Sequence, residues 1–480
     1  GAATGGMVYE GMNDAAVSGE PMIVILNDNA LSIDRNVGGM ATHLRRLRTK
    51  DRYLGMKKRY RTIVNRLPGG NAIYRFTHKL KDKLRRLLLP TTIFENMGFT
   101  YLGPVDGHDV ENLIKILGKL SKIQGPKLLH IVTRKGKGLK EAEKNPIVYH
   151  APGLFDANTG KQVVADNDNK PLKYQDVFGY TIVELADKNK KILGITPAMP
   201  TGCSLNIMME KIPNRAFDVG IAEQHAVTFA AGLAAQGMVP FCNIYSSFMQ
   251  RAYDNLIHDV ALQRLNFVLC LDRAGIVGED GPTHHGAYDL AYLRPIPNLT
   301  ISSPYDECEL RRLMYTAVQP DMGAFVIRYP RGKGSIVDWR CPLETVEVGK
   351  GRCMRKGSDV AFITIGPIGK PMEPVIDEAV KQGVSVAHYD MRFLKPLDTE
   401  ILREVGENFK YVVTLEDGTV KGGLGSAVLE YMAENGYSPK VEIMGIPDEF
   451  IEHGTPAELY GICHMSQDDV LRAILKYKEL

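Results

Sequence analysis

No C-x-x-C pair occurs anywhere in the sequence. Its seven cysteines, Cys203, Cys242, Cys270, Cys308, Cys341, Cys353 and Cys463, are odd in number and widely spaced. That pattern points to neither a disulfide framework nor a zinc site, and it fits a reducing, cytoplasmic setting. No apolar run approaches the roughly 18 residues that a membrane-spanning helix needs, because charge or glycine interrupts the longest candidates. Low-complexity tracts and repeats of fixed period are absent as well, which excludes a solenoid. The chain opens at Gly1, in what reads as a loop entering a helix, with no methionine and no signal or transit pattern. It is therefore expected to be truncated at its start.

What is present is an ordinary globular composition, 44% hydrophobic and 24% charged over 480 residues, a length that suggests about three domains. The net charge is only +3, but the stretch from Arg45 to Arg86 carries +14, which leaves −11 for the rest. Clustered Lys and Arg is the footprint of a nucleic-acid or acidic partner, and also of a solvated face or flexible arm. Aromatic residues are thinly interleaved there and no recognition motif accompanies the charge, so no nucleic acid is expected.

Around this basic insertion, at about 43–90, helical and strand periodicities alternate. Residues 7–16 and 113–120 read as helices, and 22–26 and 128–132 as strands. Residues 135–173 lack sustained periodicity and read as a linker. The alternation then resumes, with strands expected at 239–245, 267–271, 299–302 and 324–328, and again at 360–365, 385–390, 411–415 and 440–444. The expected fold class is α/β: three consecutive domains with mainly parallel sheets.

Three constellations could carry chemistry. Gly1-Ala2-Ala3-Thr4-Gly5-Gly6 precedes a helix, where small residues let backbone N–H groups meet a phosphate. Asn27-Asp28-Asn29 follows a strand, where an amide oxygen suits Mg²⁺. A tight turn and a capped loop would account for the same residues. Second, Glu223 ends an apolar strand region and opens an Ala-rich helix. There it either complements the helix dipole or, in a dry site, has its pKa raised enough to share a proton with a ring nitrogen. Third, Tyr245 to Arg251, Asp272-Arg273-Ala274-Gly275 and Arg328 lie at strand carboxyl ends, followed by the loop Gly278 to Gly286 with Asp280 and His284. Ligands of open parallel sheets bind at those ends, so three arginines there suggest an anionic substrate.

Taken in order, Gly1-Ala2, Asn27-Asp28-Asn29, Gly103-Pro104-Val105-Asp106-Gly107-His108-Asp109, Ile221-Ala222-Glu223-Gln224-His225, Tyr245 to Arg251, Asp272 to Gly275, Asp280 to Gly286 and Arg328-Tyr329-Pro330-Arg331-Gly332 resemble the 1-deoxy-D-xylulose-5-phosphate synthases of the transketolase superfamily. The likeness implies a diphosphate- and Mg²⁺-binding domain at 1–165, a pyrimidine-binding domain at 172–337 and a transketolase C-terminal domain at 345–480. It implies a transferase that joins pyruvate to D-glyceraldehyde 3-phosphate with loss of CO₂, the entry to non-mevalonate isoprenoid synthesis and to thiamine and pyridoxal precursors. Thiamine diphosphate and Mg²⁺ are the implied cofactors, a homodimer the implied assembly, and the cytoplasm the implied location, with no membrane partner.

By the same resemblance, Glu223, His284 and His150 are catalytic, with Glu223 bonding the aminopyrimidine and Phe248 stacking on it. Gly1, Ala2 and Leu139 lie beside the cofactor. Asn29 and the carbonyl of Leu31 ligate the metal, Arg251 and Arg328 hold the aldehyde's phosphate, and Tyr245, Arg273 and Asp280 line the donor pocket. The sequence departs from the family where Leu139 replaces a frequent tyrosine and Ala30-Leu31 a more usual Glu-Met. The family's glycine-aspartate-glycine motif and N-terminal histidines fall before Gly1, so the chain as written is expected to bind cofactor poorly and to turn over little. Transketolase and a 2-oxoacid dehydrogenase subunit share the same plan and stand as alternatives.

Overall fold

The computed structural model describes residues 1–32, 34–48, 92–150, 152–156, 158–162 and 170–479. From position 49 onward, the basic insertion expected at about 43–90 lies outside the described residues. The chain divides into two compact units, Gly1–Ala165 with Gly220–Ala222, and Asp166–Val219 with Glu223–Leu480.

The first unit is built on a parallel three-stranded sheet of β1 (Ile23–Asp28), β2 (Thr100–Asp106) and β3 (Lys127–Val132), in the order β1-β3-β2. Helix α1 (Met7–Ser18) follows the glycine-rich start and stops at Gly19, whose φ of +71° favours a residue without a Cβ. The helix Val110–Leu120 begins where the Asp109 carboxylate accepts the Asn112 N–H at 3.1 Å, capping a donor that the helix leaves open. Met12, Ala15, Leu44, Leu47, Phe94, Phe99 and Leu128 form the core of this unit.

The second unit holds two sheets. One holds β4 (Ile192–Thr196), β5 (Ala216–Asp218), β6 (Val239–Tyr245), β7 (Phe267–Ala274), β8 (Leu299–Ser302) and β9 (Ala324–Pro330), all parallel, with β13 (Phe393–Lys395) at its edge, in the order β13-β8-β9-β7-β6-β4-β5. The other orders β10 (Arg352–Arg355), β11 (Val360–Ile365), β12 (Val386–Asp390), β14 (Tyr411–Thr419) and β15 (Lys440–Ile446) as β10-β12-β11-β14-β15, with only β10 antiparallel. Helices cover both faces, so β11 reads Val-Ala-Phe-Ile-Thr-Ile and is buried throughout. The α/β class with mainly parallel sheets is the expected one. β13 (Phe393–Lys395) belongs by sequence to the C-terminal segment, yet it pairs antiparallel with β8 of the first sheet.

One expectation is corrected. Cys308, in the helix Glu307–Ala317, and Cys341 are joined by a disulfide, with Cα atoms 5.7 Å apart. Their separation of 33 residues gave no hint of it, because the chain runs through β9 and back before the two meet. The other five cysteines are free, and Cys203, Cys242, Cys270 and Cys463 are buried. Among the described residues no helix is long and apolar enough to cross a membrane.

Candidate active site

In the first unit the expected phosphate and metal residues converge on one turn. Gly1 and Ala2 enter a short 3₁₀ turn (Ala2–Thr4) ahead of α1. The Gly1 amine donates to the Leu31 carbonyl at 3.4 Å. A Cβ on Gly1 would lie 3.1 Å from Ser32 Cβ, so the opening of the chain packs against the turn after β1. In that turn Asn29 Oδ1 accepts the Leu31 N–H at 3.1 Å, which holds the two residues expected to ligate the metal in one tight turn.

Neutral oxygen donors of this kind suit a hard cation that takes the rest of its shell from phosphate and water. The described residues hold no cluster of three or more His, Cys, Asp or Glu that could bind a metal alone. Lys135, three residues past the end of β3, reaches the same turn: Nζ donates to the Ser32 carbonyl at 2.9 Å and lies 2.6 Å from His150 Nδ1. Burial, then the nearby lysine, lowers the His150 pKa, so the ring is biased toward its neutral form. Leu139 is half-buried, at the start of the short helix Lys140–Lys144.

In the second unit the structure gathers five expected residues into one stack. Tyr245 ends β6 and Phe248 follows it, their rings 5.5 Å apart and nearly parallel. His284 meets Phe248 edge-on at 5.3 Å. The Arg273 guanidinium lies over the Tyr245 ring, 3.9 Å from its centroid, and pairs with Asp280 at 3.3 Å. Arg273 Nε is buried and has no hydrogen-bond partner, and the same holds for Oδ2 of its neighbour Asp272. Burial is also the main cause that lowers the His284 pKa and lifts that of Asp272 to about 7.

Glu223 is buried at the first position of the helix Glu223–Ala235, where its Oε2 lies 3.5 Å from an Arg251 nitrogen. Arg251 itself is more than half exposed. Arg328, expected on a substrate phosphate, points inward instead. Its Nε donates to both Asp289 oxygens at 3.1 and 3.0 Å, and a terminal nitrogen donates to the Asp417 carbonyl at 2.8 Å. The guanidinium that joins the stack is that of Arg331, 3.4 Å from Asp280 and bonded to the Val277 carbonyl at 2.7 Å.

The 1-deoxy-D-xylulose-5-phosphate synthase family model matches residues 1–133. The transketolase pyrimidine-binding domain matches 170–335, and the transketolase C-terminal domain 349–470. A Bacteroides fragilis 1-deoxy-D-xylulose-5-phosphate synthase is 56% identical over 484 residues, covering 100% of this chain and 74% of the relative. The Bacteroides thetaiotaomicron synthase is 55% identical, with 100% and 75% covered. The chain belongs to the 1-deoxy-D-xylulose-5-phosphate synthase family. Solved structures agree on the fold. A split-gene transketolase, described as an inactive β4 tetramer, matches with a TM-score of 0.58 at 29% identity, over 64% of this chain and 99% of that one. A Campylobacter jejuni transketolase matches at 0.54 and 16% identity, over 98% and 75%.

Membership of the synthase family makes this chain an enzyme of the transferase class that depends on thiamine diphosphate. Two residues of the candidate site are not among those expected from the sequence. Lys135 stands just beyond the carboxyl end of β3, the kind of position that singled out the arginines. Arg331 stands just beyond β9, and alternation along the strand could have separated it from Arg328. Arg328 pairs in register with Leu271 inside the sheet, whereas Arg331 has left the ladder.

Proposed function

We propose that this chain condenses pyruvate with D-glyceraldehyde 3-phosphate, releasing CO₂ and forming 1-deoxy-D-xylulose 5-phosphate. The observation that carries the site reading is the Arg273 side chain, whose buried Nε has no partner beside a carboxylate shared with Arg331. A buried cationic donor left unsatisfied costs free energy unless a ligand meets it, and an acidic substrate group does so. Arg273 and Arg331, with the exposed Arg251, are assigned to the substrates' anionic groups, and Arg328 to the support behind them. Tyr245 fixes the plane of Arg273, Asp280 fixes its fork, and His284, biased toward its neutral form, accepts or returns a proton at a substrate oxygen.

Thiamine diphosphate, when bound, supplies the carbanion-stabilising chemistry of decarboxylation. Phe248 offers a ring face to its pyrimidine, and Glu223, buried at a helix start, offers a carboxylate to a ring nitrogen. Gly1, Ala2, Leu139, Lys135 and His150 are assigned to the diphosphate side, and Asn29 Oδ1 and the Leu31 carbonyl to Mg²⁺. The division into domains at 1–165, 172–337 and 345–480, a homodimeric assembly and a cytoplasmic location are part of the same reading.

The test is product analysis on the protein carrying this chain, with thiamine diphosphate and Mg²⁺. Formation of 1-deoxy-D-xylulose 5-phosphate from pyruvate and the aldehyde is expected. Turnover of ketose phosphate donors in place of pyruvate would return the site to transketolase chemistry.

A further inference from the structure

Tyr101, His130 and Asp28 come one each from β2, β3 and β1, and they link all three strands of the first unit's sheet. Tyr101 Oη lies 2.7 Å from His130 Nδ1, and His130 Nε2 lies 3.3 Å from Asp28 Oδ2. His130 is fully buried and Asp28 nearly so. Burial, with Glu95 and Asp28 nearby, raises the Tyr101 pKa, so the phenol keeps its proton, and with Asp28 accepting at Nε2 the neutral ring takes that proton's hydrogen bond at Nδ1. Nε2 then carries the ring hydrogen and donates to Asp28, which fixes the tautomer.

The other oxygen of Asp28 leaves the sheet. Oδ1 accepts the Ala30 N–H at 3.2 Å, and Ala30 sits at φ +65°, a left-handed conformation uncommon for a residue with a Cβ. Such a bend persists only where its surroundings over-determine it. It lies inside the Asn29–Leu31 contact and directly precedes the Leu31 carbonyl. β2 is shaped to the relay as well. Its register against β3 shifts between Leu102 and Val105. At Gly103, with φ +133°, a Cβ would fall 2.4 Å from the His130 carbonyl oxygen. The first glycine of the 103–109 motif is what lets β2 lie against His130.

The geometry points to His130 and Tyr101 as positioning residues for the cation-binding turn: the relay holds Asp28, and Asp28 holds Ala30 in the bend that presents Asn29 Oδ1 and the Leu31 carbonyl. This rests on the assignment of those two oxygens to Mg²⁺. Groups that orient metal ligands from behind commonly change metal affinity about 10- to 100-fold when removed.

The experiment titrates Mn²⁺, an oxygen-seeking stand-in for Mg²⁺, into the full protein with thiamine diphosphate present. Free ion is read by electron paramagnetic resonance, and each variant's melting temperature is recorded. His130→Leu is expected to weaken Mn²⁺ binding about 10- to 100-fold, and Tyr101→Phe less. His130→Gln, whose amide still donates toward Asp28, should stay within about threefold. Parental affinity in His130→Leu, or equal losses in the Leu and Gln variants, overturns the proposal. Should His130→Leu fail to fold, parental affinity in Tyr101→Phe overturns it. Asn29→Ala separates the two readings. If that variant binds Mn²⁺ normally, the cation site is misplaced. If it loses Mn²⁺ while His130→Leu retains it, only the relay fails.

Discussion

Arg273 combines three features at one residue: a left-handed backbone (φ +60°), a guanidinium laid over Tyr245, and a buried nitrogen with nothing to bond. The backbone and the unmet nitrogen each cost free energy, the cation–π contact offsets part of it, and the proposed anion-binding role accounts for the rest. Lysine cannot reproduce the planar fork, so Arg273→Lys should lower kcat/KM about 10- to 100-fold, the range a lost charge-assisted pair supports. Arg331→Ala should act mainly on the KM of the phosphorylated aldehyde, raising it about tenfold with a smaller change in kcat. Steady-state kinetics on both substrates checks the pair, and a change confined to pyruvate in Arg331→Ala would contradict the assignment. Asp272, beside Arg273, makes a separate prediction about pH. Burial raises its folded pKa to about 7 from the usual 3.8, so the fold favours its protonated form. Its contribution to stability is full below about pH 4 and is lost as pH rises to about 7. Asp272→Asn should therefore show a smaller fall in melting temperature than the parent between pH 4 and 7. An identical pH profile would show that the carboxyl titrates normally.

The strand edges explain both what could be read in advance and what could not. β6, β8 and β11 fall where the sequence placed them, because strands covered on both faces read as short runs rich in apolar and β-branched residues with no charge among them. β7, expected at 267–271, runs on to Ala274, and its added residues are Asp272, Arg273 and Ala274. The polar residues that ended the apolar pattern include Arg273, which the proposed function places in the substrate site, so the signal fails at the strand's carboxyl end. β2 was missed because Gly103-Pro104 interrupts it, and β13 because three residues carry too little pattern. Arg328 and Arg331 share one short motif, and only the phase of β9 separates the cation paired with a buried aspartate 39 residues away from the one beyond the ladder that meets Asp280. The same logic predicts that Gly103→Ala is costly. Its Cβ would meet the His130 backbone, which cannot move without breaking β3, and φ +133° is strained for any side chain. A loss of about 3 kcal/mol or more is expected in chemical denaturation, and a loss under about 0.5 kcal/mol, the level of an ordinary surface change, would mean that β2 and β3 are not joined this way.

At the scale of the whole second unit, its two sheets are tied by buried charge as well as by apolar packing. Arg328 of β9 bonds Asp289 and the β14 carbonyl of Asp417. Glu309 is gripped by Arg352 at 3.2 Å and Arg392 at 2.6 Å. Lys395 of β13 donates to the carbonyls of Arg294 and Ile296. Around Arg328 the carboxylates outnumber the cation. Burial lifts Glu416 to about 7 and Asp417 to about 6, and Arg328 is among the groups that pull both back down. Removing one partner of a buried pair typically costs about 3–5 kcal/mol, because the other charge is left uncompensated. Arg328→Met should lose that much, whereas Arg294→Ala, whose partner Glu430 is more than half exposed, should lose about 1 kcal/mol or less. Without Arg328 the folded pKa values of Glu416 and Asp417 rise further, and carboxyls raised in the fold destabilise it progressively as pH climbs through the interval between their unfolded and folded values. The Arg328→Met deficit should thus be larger at pH 8 than at pH 5, and adding Asp289→Asn, which removes the stranded charge, should recover a good part of it. Denaturation of the single and double variants at both pH values decides the matter: equal deficits at the two pH values, with no recovery in the double variant, would mean that Arg328 stabilises the unit by packing alone.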